Sequence, residues 1–346
     1  MTVTTPEKTP VAEVPRSSGT RLVDRVFKMR ELAILVVFLV MIVVTQLGNS
    51  EFLTEQGIKD LLLNATILVL VAVGQSLVVI TRNVDLSVGS TLGISAFAAG
   101  SYLQGGGNAV VAVALAVLMG IGFGLLNGLL VSLGQVPALV VTLGTLYIIR
   151  GIDSIWVGSR QIVASGLPDG FVDFGSGGIL AVPYLALIAV AVLVATAYYM
   201  KHFGSGRELY ALGSNPEAAR LAGIPVRRRI LVAYTFCGAL AGLAGALYLA
   251  RFGNVDSSTG NGYELTVVSA VVVGGVVFTG GSGSVYGAAL GALLLTSINS
   301  VLPALGVSSV WVLAINGVLL ILAIAVDRVV ALRVAAALKK RNARHG

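Results

Sequence analysis

The sequence predicts an all-α polytopic membrane protein of about ten transmembrane helices, and three observations lead there. Hydrophobic residues make up 56% of the 346 residues and charged residues only 11%, against about 25% charged in an ordinary soluble domain. A soluble fold of this composition would have too little polar surface to be wetted. Glycine occurs 43 times, as expected where small residues let helices approach closely in lipid. The apolar residues also fall into runs long enough to cross a bilayer, which takes about 20 residues per helix.

Ten such runs can be drawn, at approximately 32–48, 61–81, 86–103, 109–133, 137–156, 181–200, 230–250, 264–280, 285–302 and 309–326. The stretch 61–103 is the least regular, because Arg82-Asn83-Val84-Asp85 interrupts it. It reads either as a cytoplasmic turn or as a break within the membrane. A break is tolerated only where protein or a water-filled cavity covers the backbone. Residues 1–30, rich in Thr, Pro, Ser and Arg, read as a disordered cytoplasmic tail. No small-residue cleavage site follows the first apolar run, so this is not a signal peptide. Residues 31–328 form the transmembrane domain, and 329–346 a basic cytoplasmic tail.

Orientation follows from lysine and arginine. With ten spans and the N-terminus inside, 19 of the 23 basic residues fall on the inner side, in the two tails, at Arg82 and in the loop 201–229. The other four are Lys59, Arg150, Arg160 and Arg251. That asymmetry places both termini in the cytoplasm. Spans two to five then begin outside and spans seven to ten begin inside. As repeats they would be inverted, an arrangement that puts a pathway at the repeat interface.

Composition also excludes functions. With Cys237 the only cysteine, no intramolecular disulfide can form. His202 and His345 lie far apart in polar flanks, so no metal centre, catalytic cluster or cofactor site is expected. The net charge of +7 resides in tails and short loops between apolar runs. That is how a membrane protein sets its orientation, and it does not point to nucleic acid.

The longest inner loop, 201–229, contains signals for one short helix. Asn215 suits the N-cap, Pro216 the first helical position and Glu217 the positive end of the dipole. Gly223 can take the left-handed stop, and Pro225 prevents continuation. A helix this short is marginal alone and needs support from the spans or from a partner. It is either an interfacial surface helix or a coupling element seated in a cytoplasmic ATPase.

Four segments carry a family resemblance: LVVITRNVDLSVGSTLG at 77–93, NGLLVSLGQVPALVVTLGTLYIIRGI at 127–152, GRELYALGSNPEAARLAGIPVRR at 206–228 and VVGGVVFTGGSGSVYGAALGALLL at 272–295. In this order they resemble the permeases of ABC sugar importers, the family of ribose, xylose, rhamnose and autoinducer-2 permeases. The resemblance spans about residues 31–328. Thr81 to Ser87 looks more like the rhamnose and autoinducer-2 branch than the ribose branch. The resemblance implies two permease subunits, identical or related, in the inner membrane and surrounded by its lipid. It also implies a cytoplasmic ABC ATPase and a periplasmic or lipid-anchored sugar-binding protein. Asn215, Pro216, Glu217, Ala218, Arg220, Leu221 and Gly223 would then form the ATPase contact. The chain has no G-x-x-x-x-G-K-[ST] phosphate loop, so it would not be an enzyme itself, and ATP hydrolysis would belong to the separate subunit. The run Gly274-Gly275…Gly280-Gly281-Ser282-Gly283 reads as close packing and a tight turn.

Asp85 is a functional suspect as an ionisable residue near the membrane interior, or a cap for the helix that begins at Leu86. Asn83, Ser87, Asn127, Thr142, Thr145, Asn299 and Asn316 could meet a sugar along the pathway, or could join helices to one another. Arg150 reads as a snorkelling side chain near the outer end of span five. Asp153, Asp169 and Asp173, in or beside the outer loop 157–180, would dock a binding protein or keep the loop wet. The alternative to an ABC permease is an ion-driven secondary transporter of a small polar solute. That mechanism would need ionisable groups in mid-span, and Asp85 is nearly alone there.

Overall fold

The computed structural model describes residues 18–50, 52–179 and 182–304, with scattered positions from 306 to 325. The helices are α1 (Ser18–Gly48), α2 (Glu55–Ile80), α3 (Val88–Gln104), α4 (Ala109–Ser132), α5 (Ala138–Val157), α6 (Asp169–Ser176), α7 (Tyr184–His202), α8 (Gly204–Ser214), α9 (Pro216–Leu221), α10 (Val226–Phe252), α11 (Tyr263–Val273) and α12 (Val285–Ala304). A two-residue antiparallel hairpin, β1 (Gly178–Ile179) with β2 (Val182–Pro183), precedes α7. Among the described residues, six helices are long and apolar enough to span a membrane: α2, α4, α5, α7, α10 and α12. The tenth expected span and the basic tail lie largely or wholly outside the described residues.

Several expectations are corrected. Helix α1 begins at Ser18, so residues 18–30 are helical, not a disordered tail. The eighth span shrinks to the 11 residues of α11 and ends at Val273, because the glycine-rich stretch beyond it is a loop. The outer loop 157–180 holds α6, and the inner loop 201–229 holds α8 as well as α9.

At the centre stands α2. Every residue from Ala65 to Ile80 is buried, as expected of a helix that is apolar all round. By contrast α1, α4, α5 and α7 leave large apolar side chains exposed, among them Val40, Leu118, Ile148 and Val190. Surfaces of that kind suit lipid or another apolar partner.

The most extensive helix contact is α4 with α10. It rests on Gly120 and Gly124 of α4 against Gly238 and Gly242 of α10, where backbone meets backbone directly. A Cβ on Gly120 would collide with the Gly238 carbonyl, and a Cβ on Gly238 with the Gly120 carbonyl. Small residues spaced by four put both helices within reach of each other's main chain, the usual means of close helix contact in lipid.

Two three-helix units have related packing. After α2 the chain turns back into the bundle through residues 81–87 and forms the short α3. After α10 it turns back from the opposite end through residues 253–262 and forms the short α11. Thr259 and Gly260 of that second segment lie against Gly93 and Gly89 of α3. The contacts α3–α4, α4–α10 and α3–α10 have counterparts in α11–α12, α12–α2 and α11–α2. Units α2–α4 and α10–α12 therefore have the arrangement of an inverted repeat. The pairing of α5 with the tenth span lies outside the described residues.

The glycine seam gives a controlled test. Gly120→Leu must displace α10, and overpacking of this kind costs about 1–3 kcal/mol or more. Gly122→Leu, two positions away in an open environment, should be tolerated. Thermal unfolding in detergent should show a lowered midpoint for the first variant only.

Candidate functional site: a buried polar turn and a capped helix pair

The turn between α2 and α3 is non-helical backbone enclosed by protein. Val84, Asp85, Leu86 and Ser87 are all buried. Irregular backbone at this depth needs a partner for every polar group, and the surrounding helices supply them. The Val84 carbonyl accepts from the Tyr234 hydroxyl of α10 at 2.9 Å and from the Thr142 hydroxyl of α5 at 3.3 Å. The Gln75 carboxamide of α2, in the orientation that satisfies both groups, accepts from the Asp85 N–H at 3.1 Å and donates to the Asp85 carbonyl at 3.3 Å. The Asp85 carboxylate accepts from the N–H and hydroxyl of Ser87, at 2.9 and 2.7 Å. Asn127 of α4 donates to the Ser87 hydroxyl at 2.8 Å. Side chains from four helices thus converge on three residues of the turn, Val84, Asp85 and Ser87.

Of the expected pathway residues, the structure brings Asp85, Ser87, Asn127 and Thr142 together. Thr145 stays on its own helix, donating to the Thr142 carbonyl. Asn83 turns away, its amide donating to the Thr81 carbonyl at 2.9 Å. Asn299 lies elsewhere, beside a cavity of about 250 Å³ that it lines with Asn64, Tyr263, Thr266, Thr296 and Ser300. The side-chain oxygens of Asn64 and Asn299 are buried without a hydrogen-bond partner among the described residues. Asn316 falls outside the described residues. Gln75 and Tyr234 were missed. Gln75 had a signal, a lone carboxamide inside an apolar run. Tyr234 had none, since buried tyrosines at helix positions are common.

Two outer residues differ from expectation. Arg150 does not snorkel. It turns inward and donates to the Thr259 carbonyl at 2.7 Å, pinning the 253–262 segment. Asp153 is fully buried, with one carboxylate oxygen 4.0 Å from Arg150, so it cannot dock a partner. Asp169 and Asp173 are exposed on α6.

The second re-entrant segment repeats the first in sequence as well as in shape. Asn83-Val84-Asp85-Leu86-Ser87 precedes α3, and Asn254-Val255-Asp256-Ser257-Ser258 precedes α11. The Asp256 carboxylate accepts from the Ser258 N–H at 2.8 Å and hydroxyl at 2.7 Å, the same pair of bonds made at Asp85. Those bonds hold the Asp256 carboxyl below the usual carboxylate range.

At the end of the bundle that carries Arg207, Arg220 and Arg227 to Arg229 lie α8 and α9. Asn215 caps α9, its side-chain oxygen accepting from the N–H groups of Glu217 and Ala218 at 3.1 Å each. The helix closes with Ile224 N–H on the Ala219 carbonyl and Gly223 N–H on the Arg220 carbonyl. This is the two-bond stop that needs a left-handed residue, and Gly223 has φ +80°. Ala219 faces inward, whereas Ala218, Leu221 and Ala222 face out, Leu221 being 88% exposed. A cleft of about 680 Å³ separates α9 from the α4–α5 turn at Ser132 and Gln135. The pair is fixed to the bundle through α8. Arg229 of α10 bonds Glu208 at 2.5 Å, and the Tyr210 hydroxyl donates to the Gly283 carbonyl at 3.1 Å. Burial pushes the Tyr210 hydroxyl up to about 12, so it remains a donor at neutral pH.

Comparison with known proteins sets these features in a family. The family described as branched-chain amino acid transport system / permease component matches residues 57–324. The chain belongs to this permease family. The permease is 36% identical over 313 residues to the ribose import permease protein RbsC of Escherichia coli strain K12, covering 90% of this chain and 97% of that one. It is 36% identical over 300 residues to the autoinducer 2 import system permease protein LsrC of Enterobacter sp. strain 638, covering 87% of each chain. Equal identity to both means that overall likeness does not separate the branches that Thr81 to Ser87 was expected to separate. No solved structure matches the permease.

The polar cage predicts a specific cost. Gln75→Leu leaves the Asp85 N–H and carbonyl unpaired, and each unmet buried group costs about 1–3 kcal/mol. Asn83→Ala, whose side chain bonds only to Thr81 among the described contacts, should cost far less. Unfolding midpoints of the two variants in the same detergent check this.

Proposed function

We propose that the permease is the membrane-spanning subunit of an ATP-driven importer for a monosaccharide, rhamnose or a similar sugar, or for an autoinducer-2-like sugar derivative. The observation that carries this reading is full-length similarity to two kinds of import permease, one for ribose and one for autoinducer 2. In this reading the basic end of the bundle faces the cytoplasm and both termini lie there, in keeping with the positive-inside rule. A cytoplasmic ATPase contacts α9, a second permease subunit covers part of the exposed apolar surface, and a binding protein delivers solute at the opposite end, near α6.

The capped helix α9 supports the coupling role. Rigid at both ends, it presents Leu221 with Ala218 and Ala222 outward, and Glu217 and Arg220 flank them. An exposed leucine of this kind is an anchor for a groove, and anchors commonly cost about 2 kcal/mol or more when lost. The buried cage around Asp85 supports a bracing role for Asp85, Ser87, Asn127 and Thr142 beside the pathway. Asn299, with Asn64, supplies a separate polar surface in the half nearer α6.

Two measurements test the reading. Leu221→Asp should weaken recovery of the cognate ATPase subunit at least roughly tenfold, about 1.4 kcal/mol, at unchanged membrane abundance. Equal recovery would leave α9 as an interfacial helix. Cysteine introduced at exposed Ser165 should react with an impermeant thiol reagent applied to intact cells, and cysteine at Ser214 should not. Labelling of both would overturn the orientation.

A further inference from the structure

Arg82 joins three segments that are distant in sequence. It sits at the tip of the α2–α3 turn with φ +65°, a conformation that an L-residue other than glycine rarely adopts. Its side chain does not pair with Asp85. Nε donates to the Thr279 carbonyl at 2.7 Å and Nη2 to the Ser214 carbonyl at 3.1 Å. Ser214 is the last residue of α8 and directly precedes Asn215, the cap of α9. Thr279 belongs to the glycine-rich loop between α11 and α12.

The junction is packed at backbone distance. The Gly281 N–H donates to the Ile80 carbonyl, the last of α2, at 2.9 Å. A Cβ on Gly213 would strike that same carbonyl, and a Cβ on Gly281 would strike Ser214. Gly280, Gly281 and Gly283 all have positive φ, so this loop shape depends on glycine. Three residues beyond Arg82 lies Asp85, held by Gln75 of α2, Asn127 of α4 and Ser87 of the same turn, and flanked by the Tyr234 contact of α10.

We infer that Arg82 is a positioning residue for coupling, a strut that carries displacement of the α8–α9 pair directly into the buried Asp85 turn. The inference rests on the reading of α9 as the ATPase contact and names the route inward from it. Charge-assisted bonds to two carbonyl oxygens are stronger than neutral ones, and the guanidinium is a planar, rigid fork. The α8–α9 pair also connects through the chain to α7 and α10. The strut adds a shorter route that reaches the polar cage without passing along a spanning helix.

The test uses the full-length permease assembled with its cognate ATPase subunit, either nucleotide-free or trapped with ATP and orthovanadate. Hydrogen exchange is followed in the peptide covering residues 81–90. In the wild-type complex, trapping changes exchange in this peptide. Arg82→Ala should recover the ATPase subunit equally and still hydrolyse ATP, while the nucleotide-dependent change in 81–90 is lost. Arg82→Lys, which keeps the charge and can reach one carbonyl, should retain part of the change, and it is judged by the same readout if the alanine variant does not fold. A wild-type-sized change in Arg82→Ala, or no change in the wild type, overturns the strut. Loss of ATPase recovery in Arg82→Ala also overturns it, because Arg82 would then support docking. Failure of the ATPase-contact reading is seen separately, as undiminished recovery with Leu221→Asp.

Discussion

Everything near the middle of this permease depends on one constraint: the chain breaks helix between α2 and α3 at a depth where no bulk solvent can satisfy the exposed main chain. Gln75, Thr142 and Tyr234 meet that demand by bonding the carbonyl of Val84 and both main-chain groups of Asp85. Asn127 and Ser87 complete the cage around the Asp85 carboxylate. Because these side chains come from α2, α4, α5 and α10, satisfying the break also fixes how those helices lie against one another. The glycine seam between α4 and α10 is the complementary condition. Only with those two backbones in contact can Tyr234 and Asn127 reach the same turn.

The inverted relation between α2–α4 and α10–α12 gives the cage a counterpart. The repeated Asn-Val-Asp-x-Ser sequence places an aspartate–serine turn before each short helix, one buried and one partly open at the opposite end. Each has an arginine nearby that donates to main-chain carbonyls. Arg82 reaches the α8–α9 pair, and Arg150 holds Thr259. Inverted repeats commonly place a pathway at their interface, and here the two equivalent turns differ in burial.

Much of this was legible in the sequence, and the limits are physical. Hydropathy located the spans, because long apolar runs leave few alternatives. The caps of α9 were legible because Asn215, Pro216 and Gly223 act within a few residues of chain. Asp85, Ser87, Asn127 and Thr142 stood out as polar groups in apolar surroundings. Tyr234 did not, since its role is set by a contact 150 residues away in sequence. Helix α8 was hidden because its polar sequence lacks a strong start signal. Arg150 and Asp153 were misjudged because their placement depends on the 253–262 segment folding back along α3. The Asn-Val-Asp-x-Ser repeat was in plain sight, but five residues in a Gly- and Val-rich chain acquire meaning only when both copies are seen to precede equivalent helices.

The α2–α3 turn is held by side chains acting as a single network. A double-mutant cycle between Asn127→Leu and Ser87→Ala, read as unfolding free energy in detergent, tests it most directly. Residues joined in one hydrogen-bonded network show interaction energies of about 0.5–3 kcal/mol, and the 2.8 Å bond between these two side chains predicts a value in that range. Additivity to within about 0.3 kcal/mol, as for independent sites, would contradict the claim.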